Sequence, residues 1–283
     1  MHKTTPMKKV AITLFPILLF ILTSSHHSVL QSGETIVLDT GLVYLKFPVV
    51  GVSGYEKESI EILKINPTFY TFEVGCASKE GIESKPLNQW MKDKKWIASL
   101  NAGMFKLEGN FKQCTGYMKV GNHLNNPSTT PNYKGYFACQ ATLPSLAGAT
   151  LVDASVESID SLKRNYNNVI QGIRMLDPQG KNIWQYQEKR WSMVLLGKDA
   201  SGNILFIFTR APYRVYDFVN ELKKLPIQLI RLMYLEGGPK ASFGIQHPQV
   251  QRMVMGSFEI GFNENNNNQN FWALPNVIGI TKK

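Results

Sequence analysis

The run Leu229-Ile230-Arg231-Leu232-Met233-Tyr234-Leu235 ends abruptly in Glu236-Gly237-Gly238-Pro239. The run has the length and composition of a buried strand, although its period alone leaves a helix open. Gly-Gly then opens backbone angles that other residues resist, and it strips away side chains so that a ligand can come close. A carboxylate at such a junction either caps the next element or stands as a reactive group at the mouth of a site.

The same punctuation recurs along the chain. Short apolar runs over 36–47 (broken at Gly41), 59–65, 68–74, 96–100, 115–120, 136–141, 168–176, 190–197, 204–210 and 271–281 read as strands. Asn66-Pro67, Gly121-Asn122, Asp177-Pro178-Gln179-Gly180 and the loop 198–203 supply turns between them. Helical spacing is confined to 85–94, 155–162 and 213–224. In the last of these Val215, Phe218, Val219 and Leu222 share one face, and Lys223 and Lys224 close it. Residues 125–135 read as a surface loop, one suited to border a site, and the asparagine-rich stretch 263–270 reads as floppy. Many short strands with few helices predict an α+β fold: a single domain of mixed or antiparallel β-sheet with flanking short helices.

The N-terminus stands apart. Lys3, Lys8 and Lys9 precede an apolar run over 10–22, and Thr23, Ser24 and Ser25 come after it. This pattern is that of a secretory signal peptide over 1–25, with a lead-in over 26–40 and the folded domain over 41–283. The expected location is secreted or periplasmic, with no membrane span once the signal is removed. Without those lysines, 28 basic residues face 21 acidic ones and the net charge falls from +10 to +7. The bases are scattered and no nucleic-acid motif occurs, so a nucleic-acid partner is not expected; a moderate pull toward anionic envelope polymers is compatible with the charge. The three cysteines, Cys76, Cys114 and Cys139, show no zinc spacing. In an exported chain Cys114 and Cys139 are candidates to pair, though three single pairings are open. Oligomeric state is not legible.

Strong catalytic motifs are missing: no G-x-S-x-G, no Walker loop, no H-E-x-x-H. The five histidines form no metal-binding pair, and no cofactor is required by the sequence. Asp153, Asp177, Asp199 and the loop asparagines are oxygen donors of the kind calcium takes, without a spacing that demands it. There remains a set of polar residues at strand ends: Asn101, Gln171, Arg174, Arg190, Ser192, Arg210, Glu236 and Ser242.

Five segments occur in one order: Asn101-Ala102-Gly103-Met104-Phe105, Gly116-Tyr117-Met118-Lys119, Gln171-Gly172-Ile173-Arg174, Arg190-Trp191-Ser192 and Leu235-Glu236-Gly237-Gly238-Pro239. Together they resemble the phosphodiester glycosidase domain, the domain of the lysosomal uncovering enzyme, and within it an exported bacterial branch. The resemblance spans about 41–244. It departs from the commoner pattern where that has Leu-Asp-Gly-Gly-Gly-Ser: here Glu236 is one methylene longer than Asp, and Pro239 removes a backbone N–H.

The resemblance implies a hydrolase that cleaves the C1–O bond of a sugar-1-phosphodiester, with a sugar phosphate or glycan as substrate. On that reading Glu236 is the carboxylate, as nucleophile or as base for water, and Arg190 grips phosphate oxygens with its planar fork. Asn101 is grouped with them as catalytic. Arg210 and Lys119 are further phosphate candidates, Gln171 orients sugar hydroxyls or an acetamido group with Asn101, and Arg174 and Ser192 complete the binding set. Gly237 and Gly238 let backbone N–H groups reach the ligand. Two other readings stay open: a non-catalytic exported carbohydrate-binding or envelope-interaction module on the same fold, and a phosphodiesterase that cuts P–O.

Overall fold

In the computed structural model, residues 1–2, 33–107 and 112–283 are described. Apart from its first two residues, the signal peptide expected over 1–25 lies outside them. The chain opens with β1 (Glu34–Asp39), β2 (Leu42–Pro48), β3 (Ser59–Ile65) and β4 (Tyr70–Cys76), then α1 (Ala77–Glu80) and α2 (Leu87–Lys94). It continues through β5 (Ala98–Asn101), β6 (Met118–Val120), β7 (His123–Asn126), β8 (Gly135–Ala141), β9 (Ala149–Asp153) and α3 (Ile159–Asn165). The second half holds β10 (Tyr166–Arg174), β11 (Trp191–Asp199), β12 (Ile204–Tyr213), α4 (Val215–Lys224) and β13 (Leu229–Gly237). It closes with β14 (Ser242–His247), β15 (Val250–Met255) and β16 (Asn276–Lys282).

These strands form two sheets. The larger runs β1-β2-β3-β12-β11-β13-β10-β6-β7, with β8 paired to β10 and β9 to β8; the smaller runs β15-β14-β5-β16-β4. Every strand pair among the described residues is antiparallel. The fold is α+β, as the sequence predicts.

The middles of the central strands, over 193–196, 204–208 and 232–235, are apolar because both of their faces are covered. Val194 and Leu196 of β11, with Phe206 and Phe208 of β12, pack into the core shared with Phe72, Leu100, Phe243 and Ile278 of the smaller sheet. Their neighbours Met193, Leu195, Leu205 and Ile207 pack on the opposite face, against Val215, Phe218, Val219 and Leu222 of α4. Trp90 and Met91 of α2 cover the outer face of the smaller sheet with Trp96 and Val277. The layers are therefore α4, large sheet, small sheet, α2.

Three expectations need correction. The expected helix over 155–162 begins later, at Ile159, because Ser158 caps it: the Ser158 side chain accepts from Ser161 N at 3.3 Å. Cys114 and Cys139 do not pair; all three cysteines are free and buried. Cys139 lies mid-strand in β8 with its Sγ 3.6 Å from Asn168 Nδ2, while the Cys114 amide is held by Asn125. Burial pushes the two thiols up, to about 11 for Cys114 and about 12 for Cys139, so neither offers a thiolate at neutral pH. The asparagine-rich stretch is not floppy: Asn268 Nδ2 donates to the Gly256 carbonyl at 2.8 Å, and Asn263 Nδ2 to that of Ser257 at 2.8 Å.

Candidate active site at the end of β13

A bulge in β13 aims Glu236. In the pairing of β11 with β13, Val194 faces Glu236 and Leu195 faces Tyr234, so Leu235 is the extra residue. Paired residues share a face, and Val194 belongs to the inter-sheet core. The bulge thus turns Glu236 toward the space between the sheets, which is how bulges commonly re-aim a side chain. Its Oε1 accepts from the Gly237 amide at 3.0 Å.

The site is built from both sheets. Asn101, at the end of β5, is buried and accepts from Ser242 N at 2.8 Å while donating to the Lys240 carbonyl at 3.1 Å. Those two bonds fix the turn 237–242 that carries Gly238 and Lys240. Gly238 has φ +63°, and a Cβ there would collide with Glu259 Oε2. Only glycine meets both conditions comfortably. We expect Gly238→Ala to lower stability by about 1–2 kcal/mol and to cut turnover more than it lowers stability, because Glu259 must swing away; paired thermal melts and rate measurements check this.

Glu259 brings a second carboxylate. Its backbone is held by a bridge to Trp191, and its neighbours by Phe258 O accepting from Ser192 N at 2.9 Å and Arg190 O accepting from Ile260 N at 3.1 Å. Ser192 Oγ adds a bond from Ser257 N at 2.9 Å while donating to the Arg210 carbonyl. The segment Arg190-Trp191-Ser192 therefore acts here as the splint that places Glu259. Trp191 Nε1 is buried, and it acts on the Tyr234 hydroxyl beside it. It lies with the Tyr234 hydroxyl against Gly237.

The electrostatics arise from this crowding. Burial, reinforced by the negative charge of Glu259, raises Glu236 to about 7; the Gly237 amide and Lys240 pull the other way. Tyr234 is held well above its ordinary value by burial and by the same two carboxylates. Two acids whose surroundings push one of them up to neutrality form the arrangement that acid–base chemistry uses.

Other residues singled out in the sequence lie elsewhere or are committed to structure. Gln171 spends both ends on backbone groups before β6 and β8: Oε1 accepts from Tyr117 N and Thr130 N, and Nε2 donates to Thr130 O and Tyr133 O. Arg174 Nη1 pairs with the buried Asp153 at 2.6 Å. Lys119 Nζ donates to Lys163 O at 2.7 Å. Arg210 binds Met255 O, Asn266 and Asn268 O, tying down the asparagine-rich loop. Arg190 is exposed and lines a separate cleft with Tyr213 and Arg214. Asp199 is held by Lys64 and Asn203, and Asp177 by the amides of Gln179 and Lys181. No group of His, Cys, Asp or Glu fit to hold a metal occurs among the described residues. Sequence reasoning missed Glu259 and Lys240; the only signal for Glu259 is an acid between Phe258 and Ile260 just after Gly256.

The likeness to known structures is one of fold. The sequence matches no family model and no curated protein. Among solved structures, a hypothetical protein from Synechocystis aligns over 89% of this chain at 12% identity with a TM-score of 0.56, and this chain spans 64% of its length. The catalytic domain of zebrafish N-acetylglucosamine-1-phosphodiester α-N-acetylglucosaminidase, auto-inhibited by its pro-peptide, aligns over 89% of this chain and 82% of its own, at 13% identity and a TM-score of 0.52. A protein from Burkholderia pseudomallei described as a candidate for export aligns over 81% and 75%, at 10% identity and a TM-score of 0.51. No helix among the described residues is long and apolar enough to cross a membrane.

Proposed function

We propose that the chain is an exported hydrolase that cleaves the glycosidic C1–O bond of a sugar-1-phosphodiester, with Glu236 as general base for the attacking water. The observation that carries the reading is Glu236 itself, a carboxylate raised to about 7 beside Glu259 and Lys240 at an opened strand end. A fold shared with a phosphodiester α-N-acetylglucosaminidase supports it.

The chemistry suits these groups. A phosphomonoester leaves as a stabilised anion whose second pKa is near ~6, so it needs little protonation. The reaction needs a base for water, positive charge at the phosphate and negative charge near the sugar carbon as it becomes cation-like. Glu236 takes the water proton, Lys240 faces the phosphate, and Glu259 supplies the second negative charge. Lys240 takes the phosphate role in place of Arg190, Arg210 and Lys119, because it is the cation whose charge acts on Glu236. Asn101 acts by holding the Lys240 turn.

A base that titrates near neutrality gives a signed pH profile. We expect kcat for a sugar-1-phosphodiester to rise with pH through an inflection at about 7, the value of Glu236. A falling limb there would assign Glu236 as acid instead. Product analysis with a chromogenic sugar phosphodiester and a simple glycoside tests the reaction class. Free sugar from the first alone, carrying the oxygen of labelled water, supports the proposal; label in the phosphate or release of sugar phosphate would show P–O cleavage, and binding without turnover would show a carbohydrate-binding module.

A further inference from the structure

A cleft of about 690 Å³ opens beside the turn that carries Lys240. Its walls are mostly apolar: Phe105, Leu107, Phe262 and Trp272, with Lys240, Ser84 and the carboxylate of Glu83 as polar members. Three of these side chains are unusually open to solvent for their size, Phe262 at 61%, Leu107 at 59% and Trp272 at 37%. Phe262 and Trp272 meet edge to face with centroids 5.8 Å apart, which gives a firm apolar corner. Exposed apolar surface gathered into a concave wall marks a binding site more than scattered exposed residues do.

Two polar features orient any occupant. Lys240 Nζ sits over the Phe105 ring, 5.3 Å from its centroid, and its charge also acts on Glu236. The cleft and the site at β13 therefore share one cation. Ser84 Oγ is buried and has no hydrogen-bond partner among the described residues. A hydroxyl left unpaired inside an apolar wall costs free energy until a ligand supplies an acceptor.

Resting on the hydrolase reading above, we propose that this cleft receives the apolar alcohol portion of the substrate, so that the substrate class is a sugar phosphodiester of a single-chain alkyl or prenyl alcohol. The phosphate lies at Lys240, Ser84 Oγ donates to one of its oxygens, and the chain runs out between Phe105, Phe262 and Trp272. A sugar ring in the same place would leave most of its hydroxyls facing these hydrocarbon walls, where only Lys240, Ser84 and Glu83 could meet them. Glu83 already holds Lys112 at 2.7 Å.

Binding and turnover are measured separately on the full protein. By calorimetry, octyl phosphate is expected to bind at least tenfold more tightly than methyl phosphate. Tenfold corresponds to ~1.4 kcal/mol, less than about two buried methylenes supply. Trp272→Ala is expected to bring the ratio close to one, and Phe262→Ala to lower it in the same direction. Equal affinity for the two phosphates overturns the proposal, as does binding of glucose 1-phosphate through Trp272 with none of octyl phosphate. The same ratio is then read as kcat/KM for octyl and methyl sugar phosphodiesters. Octyl phosphate binding that depends on Trp272, with no hydrolysis of either ester, leaves the cleft assignment standing and rejects the hydrolase reading; hydrolysis of both esters at equal kcat/KM rejects the cleft assignment alone.

Discussion

Replacing Glu236 with glutamine is expected to stabilise the protein at pH 8 by about 2–3 kcal/mol and to leave it unchanged at pH 4. The folded-state value of Glu236 is raised to about 7 from an ordinary 4.5. The fold therefore favours the protonated acid. Below pH ~4.5 the side chain is protonated in both folded and unfolded chains and costs nothing. As pH climbs from there to about 7, the unfolded chain ionises first and the folded state falls behind; above 7 the loss is complete. Glutamine is neutral throughout and escapes it. The same substitution should lower turnover by ~10²- to 10⁴-fold, because it removes the base. Thermal melts of both proteins from pH 4 to pH 8.5, beside rates on one phosphodiester, give the answer. Parallel stability curves would mean that the site does not strain the carboxylate, and the case for catalysis would lose its main support.

That trade-off also explains which features the sequence could convey and which it could not. The strands β11, β12 and β13 are legible because a run covered on both faces must be apolar at every position. The α4 helix is legible because Val215, Phe218, Val219 and Leu222 repeat at the helical period and all four are buried. Glu236 is legible because an apolar strand rarely ends in an acid and two glycines without cause. Glu259 is not, since its position depends on Trp191 and Ser192, which are distant in sequence and reach it through backbone bonds. The asparagine-rich loop misleads for the same reason. Its composition resembles an unstructured tract, yet the groups that order it, Arg210 and Gly256, come from other elements. Gln171 and Arg174 show the converse. A polar residue at a strand end looks available to a ligand until its partners are known: Gln171 is taken up by the loop before β8, and Arg174 by Asp153.

Arg252→Met is expected to destabilise the fold by about 3–5 kcal/mol. Glu61, in β3 of the large sheet, is 1% exposed. Its carboxylate accepts from Arg252 at 2.6 to 3.0 Å and from the Tyr44 hydroxyl at 2.6 Å. Arg252 lies in β15, the edge strand of the smaller sheet, so this ion pair spans the two sheets. Loss of the guanidinium leaves a buried charge with a single neutral donor, and that desolvated charge carries the cost rather than any large intrinsic worth of the pair. Combining Arg252→Met with Glu61→Leu and Tyr44→Phe should therefore recover most of the loss, because no unpaired group remains. Urea unfolding midpoints at constant m-value measure both proteins. A triple variant as unstable as Arg252→Met would show that the ion pair itself holds the sheets together. Recovery would show that hydrophobic packing between the sheets suffices to hold them together.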